Sequence, residues 1–299
     1  MPPVARYREF APCESLQHQI RAFFSFTSGT ERDRPSARRI TREVRFMPGD
    51  SFCSPLFADG HISLAVSFRR ACYPDGSWRP LPAGPRADVI GAMTKVGSAS
   101  LGERAEIIGV YFRAAPMPGL LPVPAEELTD RVVSLPELWG RAGSEWIQRL
   151  DEANSESTRV DCLESLLLKR YRAMECSGAA IDVLGLARWV ARERGRITVQ
   201  TLSDAAGVSR QHLTRVFGER VGVTPKTYCR LSRFHAGLAY AGCGPEMNWA
   251  QAALDLGYAD QSHMIAEFRD FSSLTPGALA SGRWFHPFIE RARASRRWP

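Results

Sequence analysis

The side chains with most to offer chemically sit in one short stretch: Arg210, Gln211, Thr214 and Arg215. At spacings of three and four they share the outward face of a helix whose other face carries Leu213 and Phe217. A glutamine amide matches the paired donor and acceptor of adenine, and an arginine fork matches guanine. A threonine methyl packs on a thymine methyl, and each good pairing is worth roughly 1–3 kcal/mol of discrimination. A solvated helix face could carry the same four residues, so the elements that position them decide what they do.

Those elements occur twice. Leu202–Pro225 reads LSDAAGVSRQHLTRVFGERVGVTP, and Ala253–Pro276 reads ALDLGYADQSHMIAEFRDFSSLTP. Gly207 matches Gly257; one extra residue then enters the second turn, and the offset is 51 from there on. Ser209 aligns with Asp260, His212 with His263, Leu213 with Met264, and Phe217 with Phe268. Each match has a physical task. The glycines take the positive-φ turn that ends a helix. Ser209 and Asp260 cap the free amides of the next one. Thr224-Pro225 and Thr275-Pro276 place a cap before a proline at a first helical position, where the missing N–H costs nothing. Helix, glycine turn, helix is the helix-turn-helix pattern, whose second helix normally enters the DNA major groove. Between the copies, Thr224–Gly242 reads as one long helix that fixes their spacing. Two recognition helices roughly 34 Å apart would meet successive major grooves on one DNA face.

On these residues, SRQHLTRVFGERVGVTPKTYCRLSRF and LGYADQSHMIAEFRDFSSLTPGAL, the region from about Ile181 to Ser281 resembles the DNA-binding domain of the AraC/XylS family of transcription regulators. FADGHISLAVSF and IIGVYFRAAPMPGLLPVPAEELTDRVVSL give the front part a weaker likeness to an N-terminal domain found in a subset of them. The resemblance implies that Gln211, Thr214 and Arg215 stand where base edges are contacted, with Arg210 beside them. In the second copy the corresponding residues are Ser262, Ile265 and Ala266, preceded by Gln261. Ile265 offers only apolar contact and Ala266 little more, whereas Gln261 and Ser262 sit at a helix N-terminus that attracts phosphate. The expectation is one reading unit and one anchoring unit. Ser209, Asp260, His212, His263, Lys226 and Arg230 are candidate backbone contacts. The histidines could equally pack or cap, and Lys226 and Arg230 could equally be solvated.

Ahead of this region, His61–Phe68, Ala87–Met93 and Ala105–Phe112 alternate like strands, and Ser15–Phe24 reads as a helix. The expected fold class is α+β: a mostly β N-terminal domain, then an all-α domain with two helix-turn-helix units joined by a long linker helix. The expected divisions are 1–150 for effector binding or dimerisation, 151–179 a helical linker, 180–282 the DNA-binding domain, and 283–299 a basic tail. An apolar stripe (Val160, Leu163, Leu167, Tyr171, Met174) could pack on its own domain or form a dimer seam. His61, Arg69 and Arg113 are the candidate effector contacts; surface or core roles compete for each. Trp78 and Trp139 could line a pocket, and Cys53 and Cys72 could sense oxidation, although core and inert-thiol roles are the commoner ones.

The chain has 299 residues, 44% hydrophobic and 24% charged, and a formal net charge of +7. From Ala180 onward there are 16 basic and 10 acidic residues, against 23 and 22 before it. The excess positive charge therefore falls in the C-terminal part of the chain, which suits a polyanion. Seven cysteines without a C-x-x-C spacing argue against a disulfide framework or a zinc site. No apolar leader or ~18-residue apolar run occurs, so the expectation is a cytoplasmic protein without a membrane partner. No catalytic motif or metal-ligand cluster stands out, and no cofactor is implied. Double-stranded DNA is the expected partner, with RNA polymerase, a small-molecule effector and a second copy of the chain as further ones. The competing readings are a constitutive DNA-binding protein whose front domain only dimerises, and an enzyme fused to a DNA-binding module.

Overall fold

The computed structural model describes residues 5–28, 40–46, 52–71, 84–114, 120–172, 181–242 and 247–281. Among the described residues, the front domain is an antiparallel sheet of eight strands: β1 (Ala5–Phe10), β2 (Ile20–Ser28), β3 (Ile40–Phe46), β4 (Phe52–Leu56), β5 (Ser63–Ala71), β6 (Arg86–Ile90), β7 (Gly97–Phe112) and β8 (Val132–Ser134). Their order is β3-β1-β2-β7-β5-β6-β8, with β4 also paired to β7. The long β7 is the spine, since it pairs with β2, β4 and β5.

Period-two alternation buries both faces of this sheet. Phe23, Leu64, Val66, Ile108, Val110 and Phe112 lie in the main core, while Tyr7, Phe24, Phe26 and Ala65 form a second cluster on the opposite face, with Tyr111 packed against it. Residues Ser15–Phe24, expected to be helical, are not. Only Glu14–Leu16 makes a 3-10 turn, and the chain then enters β2. The aromatic run decides it: Phe23 and Phe24 are both buried, on opposite faces, between β1 and β7. A helix would have set the two only about 100° apart, too little to serve opposite faces.

Three helices follow: α1 (Leu135–Trp139), α2 (Arg141–Glu152) and α3 (Glu156–Arg172). Ser134 and Glu137 form a capping box at α1. The α3 stripe turns inward: Val160, Leu163 and Leu167 are buried in the main core. Glu156 fastens the helix to the sheet by accepting from Arg8 at 2.8 Å and from the Ser25 hydroxyl at 2.5 Å. Met174, like Cys72, Trp78, the boundary segment Cys176–Ala180 and the basic tail, lies outside the described residues. Trp139 packs edge-on against Trp146 and donates to the Leu120 carbonyl at 2.8 Å.

The C-terminal helices are α4 (Val183–Arg192), α5 (Val199–Ala205), α6 (Arg210–Val221), α7 (Pro225–Ala241), α8 (Trp249–Asp255), α9 (Gln261–Ser272) and α10 (Pro276–Ser281). The linker helix takes Thr224 as its cap, with Pro225 in the first turn. The main core runs without a break from Phe10 in the sheet through Leu163 to Leu213 and Phe217. A second core joins Leu231, Phe234, Leu256, Met264 and Phe268, and it includes Phe57 and Ala58 from the front domain.

Candidate nucleic-acid interface

Both repeats fold as a helix, a glycine turn and a second helix. In the first, α5 leads through Gly207 at φ 64° into α6; in the second, α8 leads through Gly257 at φ 79° into α9. The Ser209 hydroxyl accepts from the His212 amide at 3.2 Å, and Asp260 Oδ1 accepts from the His263 amide at 2.7 Å. Each cap thus satisfies a donor at the N-terminus of its recognition helix. Leu213, Phe217, Met264 and Phe268 are fully buried.

The outward faces differ between the units. Arg210, Gln211, Thr214 and Arg215 are all exposed on α6. Together with Lys226 at the start of α7 they line an open cleft of 660 Å³. Three basic groups and an amide therefore converge beside the helix start. Thr214 donates to the Arg210 carbonyl at 2.8 Å. Arg215 donates to Glu219 at 2.6 Å and lies 3.3 Å from His212 Nδ1. That ion pair is exposed, so a base edge or phosphate can displace it at a cost of under about 1 kcal/mol. On α9, Gln261, Ser262 and Ala266 are exposed and Ile265 is half-buried. His263 stands edge-on to Tyr258 at 5.4 Å.

Arg230 is committed elsewhere. It donates to Glu267 at 2.8 Å and to Asp270 at 3.0 Å, over the ring of Phe271. Burial opposes its charge, but the two carboxylates more than offset that and hold the guanidinium above its ordinary value. This side chain braces α7 against α9. Glu267 itself escaped the sequence reading; a charged residue one place before Phe268 is the only signal it left.

Of the three candidate effector contacts, His61 and Arg113 each engage groups of the protein itself. His61 is half-buried against α7, stacked on His235 at 5.7 Å and edge-on to Tyr228 at 6.1 Å. Arg113 donates to the Gln17 carbonyl at 2.9 Å and closes the turn before β2. Arg69 lies in β5 opposite Glu106, and its side chain, like that of Cys53, lies outside the described residues. Burial pushes the Cys229 thiol up to about 11, an inert state at neutral pH. Among the described residues, no cluster of three or more His, Cys, Asp or Glu side chains could hold a metal, and no helix is long and apolar enough to cross a membrane.

Residues 202–281 match a helix-turn-helix domain family, and residues 8–134 match a domain of unknown function, DUF6597. No curated protein matches the chain. Among solved structures, ToxT from Vibrio cholerae is 11% identical over 78% of this chain and 99% of its own, with a TM-score of 0.41. ToxT with an unsaturated fatty acid bound is 14% identical over 80% and 94%, with a TM-score of 0.40. Residues 202–281 form a helix-turn-helix domain.

Proposed function

We propose that this AraC-type regulator reads DNA sequence with α6, anchors to the phosphate backbone with α9, and takes its signal through the front domain. The observation that carries the division of labour is the contrast between the two outward faces. Arg210, Gln211, Thr214 and Arg215 offer donors, acceptors and a methyl. Gln261 and Ser262 offer only a polar helix start, beside a half-buried Ile265 and a bare Ala266. Lys226 adds a phosphate contact beside the first unit, where the cleft brings it to the reading face. The caps Ser209 and Asp260 hold each helix start toward the backbone, and His212 and His263 flank them.

For the effector we favour the second face of the sheet over His61 and Arg113. Tyr7, Glu9, Arg21 and Tyr111 meet there among aromatic rings: Tyr7 donates to Glu9 at 2.9 Å, and the Arg21 guanidinium lies 4.5 Å from the Tyr111 ring centre. An acid, a base and two phenols in an apolar setting suit a small molecule that is part aromatic and part polar.

The test is a duplex selected by the full chain from random DNA, followed by substitution of every base pair. The expected result is a loss of about 1–3 kcal/mol per change under α6 and much less under α9. Equal losses in both halves would overturn the division of labour, and no sequence-selective binding at physiological salt would overturn the function.

A further inference from the structure

The front domain touches both recognition helices, and at the same end of each. At the first, the turn Ala125–Leu128 and the next residue, Thr129, lie against the C-terminal end of α6. The Thr129 hydroxyl donates to the Gly222 carbonyl. The Glu126 carboxylate lies over Gly218, where a Cβ would come within 2.2 Å of it. At the second, the Ala58 amide donates to the Phe271 carbonyl, in the last turn of α9, at 3.0 Å. Beside it Phe57, 2% exposed, packs edge-on against Phe234 of α7 at 6.3 Å. The last carbonyls of a helix have no partner within it, so these donors fill sites the helices leave open.

The repeat supplies an internal control. Offset by 51, Gly218 and Gly222 of the first unit become Arg269 and Ser273 in the second. The two glycines are buried, and the arginine and serine are exposed. A glycine inside a helix costs about 0.5–1 kcal/mol relative to alanine. Gly218 is placed where the front domain needs close approach, and the second unit, gripped through Phe57 and Ala58 instead, carries no such glycine.

We infer that the front domain is a two-point clamp: with Thr129 and Glu126 at α6, and Phe57 and Ala58 at α9, it sets the distance and angle between the recognition helices. This rests on the reading that α6 and α9 face DNA with their N-terminal halves, opposite the clamped ends. The clamp makes Phe57, Glu126 and Thr129 positioning residues for DNA half-site spacing, none of which touches DNA. A signal that moves one contact relative to the other changes the spacing the protein accepts.

The experiment uses the full chain and a duplex it has selected from random DNA, with one or two base pairs added or removed between the two halves. The wild type should lose about tenfold or more in affinity at a two-base-pair change, because each base pair rotates and displaces one half-site relative to the other. Thr129→Val and Phe57→Ala should weaken binding at the native spacing and flatten the profile to within about threefold. Variants that weaken every spacing by the same factor have lost only stability, and that result overturns the clamp. A second measurement covers a poorly folded Phe57→Ala: amide hydrogen exchange without DNA should quicken in α9 and leave α6 unchanged, with the reverse for Thr129→Val. Uniform quickening overturns the clamp. If the wild type selects a duplex but tolerates every spacing, only the clamp fails; if it selects none, the DNA reading fails and the clamp with it.

Discussion

Glu267 of α9 accepts Arg230 of α7 at 2.8 Å with its own side chain 2% exposed, and Arg233 approaches the same carboxylate at 3.7 Å. A buried carboxylate facing two guanidiniums fixes the angle between the linker helix and the second recognition helix. Its energetic sign depends on the pairing staying intact, because removing one partner leaves the other charge buried.

Glu267→Gln should therefore destabilise the protein by about 3 kcal/mol, since it keeps the volume and strands the arginines. Arg230→Ala should also weaken DNA binding, but through the loss of that brace. The slope of log affinity against log salt then stays that of the wild type. Lys226→Ala, in contrast, should reduce that slope by about one. Salt titrations of both variants check this, and a reduced slope for Arg230→Ala would restore it as a phosphate ligand.

Gln211→Ala and Arg215→Ala should each relax specificity at one or two adjacent base pairs, by about 1–3 kcal/mol. Glu219→Gln should raise affinity slightly, because Glu219 holds Arg215 at 2.6 Å in the unbound protein. Competition binding against single-base variants of the selected duplex reads all three. A Glu219→Gln protein that binds more weakly would show that Glu219 orients Arg215 instead of competing for it.

The helix-turn-helix units were legible because their determinants are local. Ser209, Gly207 and Thr224-Pro225 act on backbone within a few residues, and the second copy repeats each of them. The inward stripes of Leu213 and Phe217 follow from helical period alone. In Ser15–Phe24 that same period misled: residues of both sheet faces imitate a helical stripe when strand partners are not yet known. Arg230 read as a free cation because its partners sit 37 and 40 residues away. The clamp was invisible for the same reason, with Thr129 and Gly222 separated by 93 residues and no periodicity linking them.

The two turn glycines should not respond equally to alanine. Gly207 holds φ 64° with nothing within 4 Å of a Cβ, so Gly207→Ala costs only backbone strain, about 1 kcal/mol. Gly257 holds φ 79° and a Cβ there meets Arg196 Cγ at 2.9 Å, so Gly257→Ala adds the displacement of a side chain reaching across from the first unit. Urea denaturation should show the larger loss at Gly257, and the reverse order would mean that Arg196 gives way freely.

Acid should separate two groups that mask each other at the domain junction. Burial, reinforced by the charge of Arg21, lowers His61 from 6.5 to about 4. Burial raises Asp59 from 3.8 to about 6, against hydrogen bonds that pull it down, chiefly from the His61 amide. The groups around them are Arg21 from β2 and His235 and Tyr228 from α7. The depressed histidine contributes stability that is present above 6.5 and lost as pH falls through about 4. The raised aspartate contributes stability that is present below 3.8 and lost as pH rises through about 6. Between about 4 and 6 the two slopes oppose, each at most ~1.4 kcal/mol per pH unit, and largely cancel. Asp59→Asn removes one of them, so its melting temperature should drop relative to wild type as pH falls across that window. His61→Gln should rise relative to wild type over the same range. Melting curves that run parallel to wild type for both variants would show that neither group changes its protonation on folding.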